Sequence, residues 1–352
     1  MMNKYMPLRW KRGLSFLLDK KAVLVILFAS LGTLGLMILS MGMGDQNIHP
    51  IHVVKAAFGH GSETENLIVQ SFRLPRILIA VLVGASLAAA GAILQGIIRN
   101  PLASPDIIGI TGGAGAAVVT FLSIYTNPVN NSLVVSANWL PFTAFIGATL
   151  AALIVYLLAW KNGVSPLTLV LIGIGFSAAM QGVITLMMIY GPLIMLTQAN
   201  LWLAGSVYGS KWEDVVILLP WTCFFLTLAF VMARHLNVQE LGDDLATGVG
   251  SAVQKQRLIL LFICTALAGG AVAFAGGIGF VGLMAPHIAR KLVGPSFGGL
   301  LPLSALIGGM IVLVADLIGR TAFSPVEVPT GVFTAAIGAP FFIYLLYKNR
   351  NQ

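Results

Sequence analysis

The feature that most constrains this chain is its run structure: long uncharged apolar stretches, broken by short segments that hold nearly all the charges. The stretches from Ala22 to Gly44 and from Pro166 to Tyr190 contain no Asp, Glu, Lys or Arg. About 20 apolar residues in a helix cross the hydrocarbon core of a bilayer. In lipid the backbone must satisfy its own hydrogen bonds, so only helices and closed barrels span. Barrel strands alternate polar and apolar residues, and these runs do not alternate. The pattern therefore specifies an all-α membrane protein. Composition agrees, since charged residues make up 9% of the chain, against about 25% in soluble proteins.

Ten spans are expected, at 22–43, 77–98, 107–125, 139–160, 166–190, 214–233, 257–275, 279–293, 301–319 and 329–347. The eighth is short and rich in glycine, which predicts a tilted or broken helix. The stretch 191–212 is uncharged until Lys211 and has room for a further short helix. Lys4, Arg9, Lys11, Arg12, Lys20 and Lys21 precede the first run and imitate a secretory signal. That run exceeds the roughly 7–15 residues of a signal's apolar region, so it reads as an uncleaved span.

Lysines and arginines concentrate on the cytoplasmic side of membrane proteins. With ten spans and both termini cytoplasmic, only Lys55, Arg73, Arg76, Lys211 and Arg320 fall outside, of 20 lysines and arginines. The resulting organisation is a basic cytoplasmic segment at 1–21, a transmembrane domain at 22–347 and a cytoplasmic tail at 348–352. Residues 44–72 form a polar loop outside, and 234–256 a polar segment inside. The net charge of +8 thus reports topology and contact with membrane lipid, and nucleic acid is not an expected partner.

No catalytic set assembles. There is no glycine-rich phosphate loop ending in Lys and Ser or Thr, so the chain is not expected to hydrolyse ATP, and no cofactor or metal is implied. His49, His52 and His60 share the first outer loop without a zinc-like spacing. Cys223 and Cys264 lie in apolar runs and read as buried small side chains. Asp316 is the one clear acid within a span, four residues before Arg320 on the same helical face. A local ion pair is the expectation, and a lone acid supports proton coupling only weakly. The glycine clusters at 109–115, 173–175, 269–270, 276–282 and 308–309 allow close helix packing or a broken helix lining a pathway.

Four segments carry a specific resemblance: Arg73-Leu-Pro-Arg76; Gly91-Ala-Ile-Leu-Gln95 leading to Arg99-Asn-Pro-Leu-Ala-Ser-Pro105; Leu241-Gly-Asp-Asp-Leu-Ala-Thr-Gly-Val-Gly250; and Gly276-Gly-Ile-Gly-Phe-Val-Gly-Leu-Met-Ala-Pro-His-Ile-Ala-Arg290. In order and spacing, from about 22 to 347, the chain resembles the FecCD-type permeases. These are membrane subunits of ABC importers for iron–siderophores, haem and vitamin B12. The resemblance implies a type II importer permease fold of ten helices with a pseudo-two-fold repeat. It implies pairing with a second permease subunit as homo- or heterodimer, a cytoplasmic ABC ATPase dimer, and an extracytoplasmic substrate-binding protein. The expected substrate is a ferric siderophore moved by ATP-driven alternating access, with vitamin B12 or haem as alternatives. An ion-coupled secondary transporter is the rival from another class, disfavoured by the scarcity of embedded acids.

The resemblance also assigns residues. Leu241, Gly242, Asp243, Asp244, Ala246, Gly248 and Gly250 would couple to the ATPase. On residue chemistry alone, Gly242, Asp243 and Asp244 can cap a short helix that Gly248 and Gly250 end, although an ordinary connector would look similar. Asn100 and Leu102, with Val164 and Ser165 of the 162–165 loop, would form cytoplasmic gates. Pro101 and Pro105 favour a turn there, and a plain tight turn is the alternative. Arg73, Arg76 and Arg320 would dock the binding protein by holding carboxylates, or else anchor to lipid phosphates. His287 and Arg290 read as structural.

Overall fold

The computed structural model describes residues 5–9, 15–127, 130, 132–161 and 163–349. Lys4, Lys11, Arg12, Asn162 and Arg350 of the charge and loop analysis lie outside the described residues. The chain is a helical bundle. A hairpin of β1 (Tyr5–Arg9) and β2 (Ser15–Asp19) leads into α1 (Lys20–Gly42). The loop at 44–72 holds α2 (Pro50–Ala57) and α3 (Glu63–Asn66), then a π-helical stretch, Leu67–Arg73, that runs straight into α4 (Leu74–Ile98). A single 3-10 turn, Pro105–Ile108, precedes α5 (Ile110–Tyr125). The two-residue strands β3 (Thr126–Asn127) and β4 (Ser132–Leu133) pair before α6 (Leu140–Ala159). Then come α7 (Pro166–Tyr190), α8 (Leu193–Ala204), α9 (Trp212–Val231), α10 (Ala233–Gln239) and α11 (Asp243–Gly248). The chain closes with α12 (Val253–Ala275), α13 (Val281–Val293), α14 (Phe297–Thr321) and α15 (Thr330–Asn349).

Among the described residues, eight helices are long and apolar enough to cross a membrane. The third and eighth expected spans correspond to the shorter α5 and α13. The further helix with room at 191–212 is α8. The two small strand pairs were not legible in a pattern dominated by apolar runs.

Helix α4 is the centre of the bundle: 89% of its most apolar window is buried, against 17% for α7 and 11% for α1. It can sit there because its faces are small. Gly84 meets Gly308 of α14 and Gly91 meets Gly282 of α13, each so closely that a Cβ would overlap the opposite carbonyl. Small residues let membrane helices approach to backbone contact, where dispersion contacts are densest. Side-chain bonds pin the arrangement, with Ser86 to Thr222 of α9 at 3.0 Å and the Cys264 thiol donating to the Ala90 carbonyl at 3.4 Å. Cys223, expected to be buried, is exposed on the outward face of α9.

The break before α13 has a local cause. Gly276 takes φ +67 and lies so close to the Trp202 carbonyl that any side chain would overlap it. Phe280 enters α13 with φ 66, an uncommon backbone for a bulky residue. Backbone bonds tie the break to the end of α8 and the residues just after it, with Gly277 donating to the Trp202 carbonyl and Ser206 donating to the Ala275 carbonyl at the end of α12.

Candidate transport machinery at the two ends of the bundle

At one end, a guanidinium-rich cluster joins α1, α4, α14 and the loop before α15. Arg76 extends from the first turn of α4 and grips Asp316 with two nitrogens, Nε at 3.1 Å and Nη2 at 2.9 Å. Its other edge holds Glu327 at 3.2 and 2.9 Å. Asp316 is 1% exposed. The expected pair with Arg320 exists, at 3.7 Å, but is secondary. The main partner, Arg76, is 240 residues away in sequence, and helix spacing alone could not reveal it. Arg320 spends its remaining donors on the α1 end, bonding Met43 O at 2.7 Å, Ser40 Oγ at 2.9 Å and the Ser40 carbonyl. Arg73 donates to the carbonyls of Met41 and Gln46, both at 2.6 Å. The three arginines line one open cavity of about 360 Å3, together with Asp45, Glu327 and Tyr208. Three cations thus face Asp45, Asp316 and Glu327, and the cluster is close to charge balance.

In the adjoining loop His49 accepts from the Ile51 amide at the start of α2, and His52 pairs with Glu65 at 2.9 Å.

At the opposite end, α11 lies across the ends of α4 and α12. Gly242 enters it with φ +107, a backbone that favours glycine, and Asp243 and Asp244 fill its first turn. Gly242 is the N-cap and no side chain caps the helix, so Asp243 and Asp244 do not make the capping bond their chemistry allows. Gly248 is its last residue and Gly250 follows with φ +83. Ala246 is buried beneath the helix, whereas Leu241, Leu245 and Val249 are 60, 63 and 69% exposed. Leu245 within α11, and Leu241 and Val249 flanking it, are thus exposed apolar side chains around one short helix. The sequence reading took in Leu241 and left out Leu245 and Val249, whose exposure is a tertiary fact. The segment is anchored by Glu240 to Arg290 at 2.9 Å and by Asn237, which accepts from the Phe297 amide at 2.9 Å.

The candidate gate residues lie beside it. Helix α4 ends as Arg99 turns left-handed, φ 57. Asn100 then accepts from the Leu102 amide at 2.9 Å, making the tight turn expected before Pro105. Gln95, 2% exposed, donates to the Ala103 carbonyl at 3.3 Å and holds that turn to the core. In the other segment Ser165 caps α7 by accepting from the Thr168 amide at 3.2 Å. Val164 is 1% exposed and clamped on both sides. Its amide donates to Gln254 Oε1 at 3.0 Å and its carbonyl accepts from Arg257 at 2.5 Å. Just after the first segment lies Asp106, partly buried, with Thr111 donating to it at 2.5 Å and Ser104 at 3.4 Å. Burial pushes its carboxyl above the ordinary range.

Among the described residues, long apolar helices with charged clusters towards their ends define a multi-pass membrane protein. The FecCD transport family model matches residues 32–348, and the chain belongs to that family. It is 57% identical, over 95% of its length and 97% of the relative's, to the probable siderophore transport system permease YfhA of Bacillus subtilis (strain 168). It is 46% identical to the achromobactin transport system permease CbrC of Dickeya dadantii (strain 3937), over 97% of both chains. An inward-facing structure described as a metal-chelate type ABC transporter superposes with a TM-score of 0.80, at 29% identity over 93% of this chain and 99% of that one.

Proposed function

We propose that this chain is the permease subunit of an ABC importer for ferric siderophores, pairing with a second permease and driven by a separate ATPase. The observation that carries the reading is the end-to-end identity with a siderophore transport permease. In this reading ten helices cross the membrane, both termini are cytoplasmic, and a substrate-binding protein delivers the chelate to the Arg76 end. Arg73, Arg76 and Arg320 form the dock, where acids of the binding protein compete with Asp45 and Glu327 for exposed guanidinium edges. At the cytoplasmic end, the exposed apolar side chains of Leu241, Leu245 and Val249 in and around α11 enter an apolar cleft of the ATPase. Asn100, Leu102, Val164 and Ser165 belong to the segments that open and close the pathway.

The test is uptake of radiolabelled substrate, iron in the chelates and haem and cobalt in vitamin B12, by a strain lacking this gene, complemented with the chain. Ferric citrate, a ferric hydroxamate, a ferric catecholate, haem and vitamin B12 are offered in parallel. Restored uptake of one ferric chelate, abolished by depleting ATP, is the expected result. Restoration of vitamin B12 or haem uptake alone would replace the substrate, and uptake independent of ATP would replace the mechanism.

A further inference from the structure

The two candidate gate segments, at 100–102 and 163–165, lie beside α11. Both are tied to that helix by one side chain. Asp243 Oδ1 accepts from Arg99 Nη2 at 2.6 Å and from Arg257 Nη2 at 2.9 Å. Oδ2 accepts from the same Arg257 nitrogen at 3.0 Å. Arg99 is the residue that starts the Asn100–Leu102 turn. Arg257 uses its remaining terminal nitrogen on the Val164 carbonyl. Its Nε has no hydrogen-bond partner among the described residues, so its polar contacts run between α11 and the Val164 segment.

We propose that Asp243 is the node through which α11 moves both gate segments, Arg99 carrying the stroke to the 100–102 turn and Arg257 to the 163–165 loop. The proposal rests on the reading of α11 as the ATPase-coupled helix. Its physical basis is the stiffness of these links. Arg257 is 1% exposed, and water cannot easily replace a charge-assisted bond made at that depth. Two guanidinium groups share one carboxylate, so the pair of arginines cannot both keep their partner if α11 tilts away from either. Displacement of α11 must pull on a gate segment or break a charged bond, and breaking a buried one is costly. Gly242 contributes through its backbone, whose φ of +107 favours glycine and sets Asp243 at the start of α11.

The experiment uses the full complex of permease, ATPase and binding protein in proteoliposomes. Single cysteines at Lys161 and Leu102 report the two segments, in a background where Cys223 and Cys264 are replaced. Maleimide labelling is compared with and without a trapped nucleotide, and chelate transported per ATP hydrolysed is measured alongside. Asp243→Asn should abolish the nucleotide-dependent change at both reporters and lower the transport ratio by about tenfold or more, as expected for losing hydrogen bonds to a charged group. Arg99→Gln should silence only the Leu102 reporter and Arg257→Gln only the Lys161 reporter. Asp243→Glu should retain both responses and serves as the folding control. The node is overturned if Asp243→Asn responds normally at both positions, if it merely sheds the ATPase, or if each arginine variant silences both reporters. Failure of the underlying reading has a separate sign, normal coupling in Gly248→Trp.

Discussion

Removing the Asp316 carboxylate should destabilise the bundle without creating or abolishing any proton-driven transport. Asp316→Ala leaves Arg76 with Glu327 as its only carboxylate and leaves Arg320, 9% exposed, with Ser40 and Met43 alone. Breaking a buried ion pair from one side costs about 3–5 kcal/mol, because the stranded charge is desolvated and unpaired. Arg76 retains Glu327, so the lower end of that range applies, about 3 kcal/mol. That corresponds to a fall of roughly 4 °C in melting temperature for a chain of 352 residues. Asp316→Asn keeps an acceptor and should lose less, about 1.5–3 kcal/mol, the worth of hydrogen bonds to charged groups. Replacing the pair with Arg76→Met and Asp316→Leu removes both charges together and should recover most of the stability. The assay is temperature-ramped size-exclusion chromatography of the detergent-solubilised protein, all variants in the same detergent. An Asp316→Ala protein as stable as the parent would refute the buried pair as a structural element. Uptake by the parent complex driven by a pH gradient without ATP would refute the ion pair as an explanation for the acid.

Four further outcomes are expected. Gly248→Trp has open space around it and should leave membrane insertion intact while reducing transport at least tenfold; normal transport with the ATPase bound would remove α11 from the coupling machinery. Gly91→Val drives a side chain into the Gly282 carbonyl and should cost about 2–3 kcal/mol, whereas Gly35→Val, which meets nothing, should be tolerated, both judged by melting temperature. Arg73→Gln should weaken binding-protein affinity at low salt and much less at high salt, because exposed charges are screened; salt-independent loss would point to a packing role. Asp106 has a carboxyl pKa raised by burial, so its contribution to stability is greatest below the unfolded-state value of about 3.9 and is lost as pH rises through the folded value. Asp106→Asn should flatten that acid-range slope in thermal denaturation, and an unchanged slope would assign it to another group.

The spans were legible because lipid imposes one requirement on every residue facing it, and that requirement is written locally. Each expected span meets a helix within a few residues, and the short, glycine-rich eighth appears as α13 behind a non-helical lead-in. The turn at Asn100 and the exit at Gly248–Gly250 were legible for a similar reason, since proline and glycine act on their own backbone. Partners were not. Arg76 reads as a free cation in sequence, yet it is spent largely inside the subunit, and its acids come from α14 and the following loop. Arg257 carried no signal, because its importance comes from the Val164 carbonyl, a group every residue possesses. The near-neutral balance of the arginine cluster is a tertiary fact of the same kind. It alters the docking expectation from open cations to cations that a partner must win from internal acids.

Helix α4 carries Arg76 in its first turn and is followed directly by Arg99 at its end. At 1.5 Å per residue its 25 residues measure about 37 Å, the thickness of the bilayer core with a little to spare. Its only proline, Pro75, sits at the start, where it does not kink the helix. The arginine cluster and the Asn100–Leu102 turn are therefore at opposite tips of one helix, packed closely against α13 and α14 at Gly91 and Gly84. On the proposed importer reading, a tilt or axial twist of α4 imposed at one tip reaches the other within the same motion.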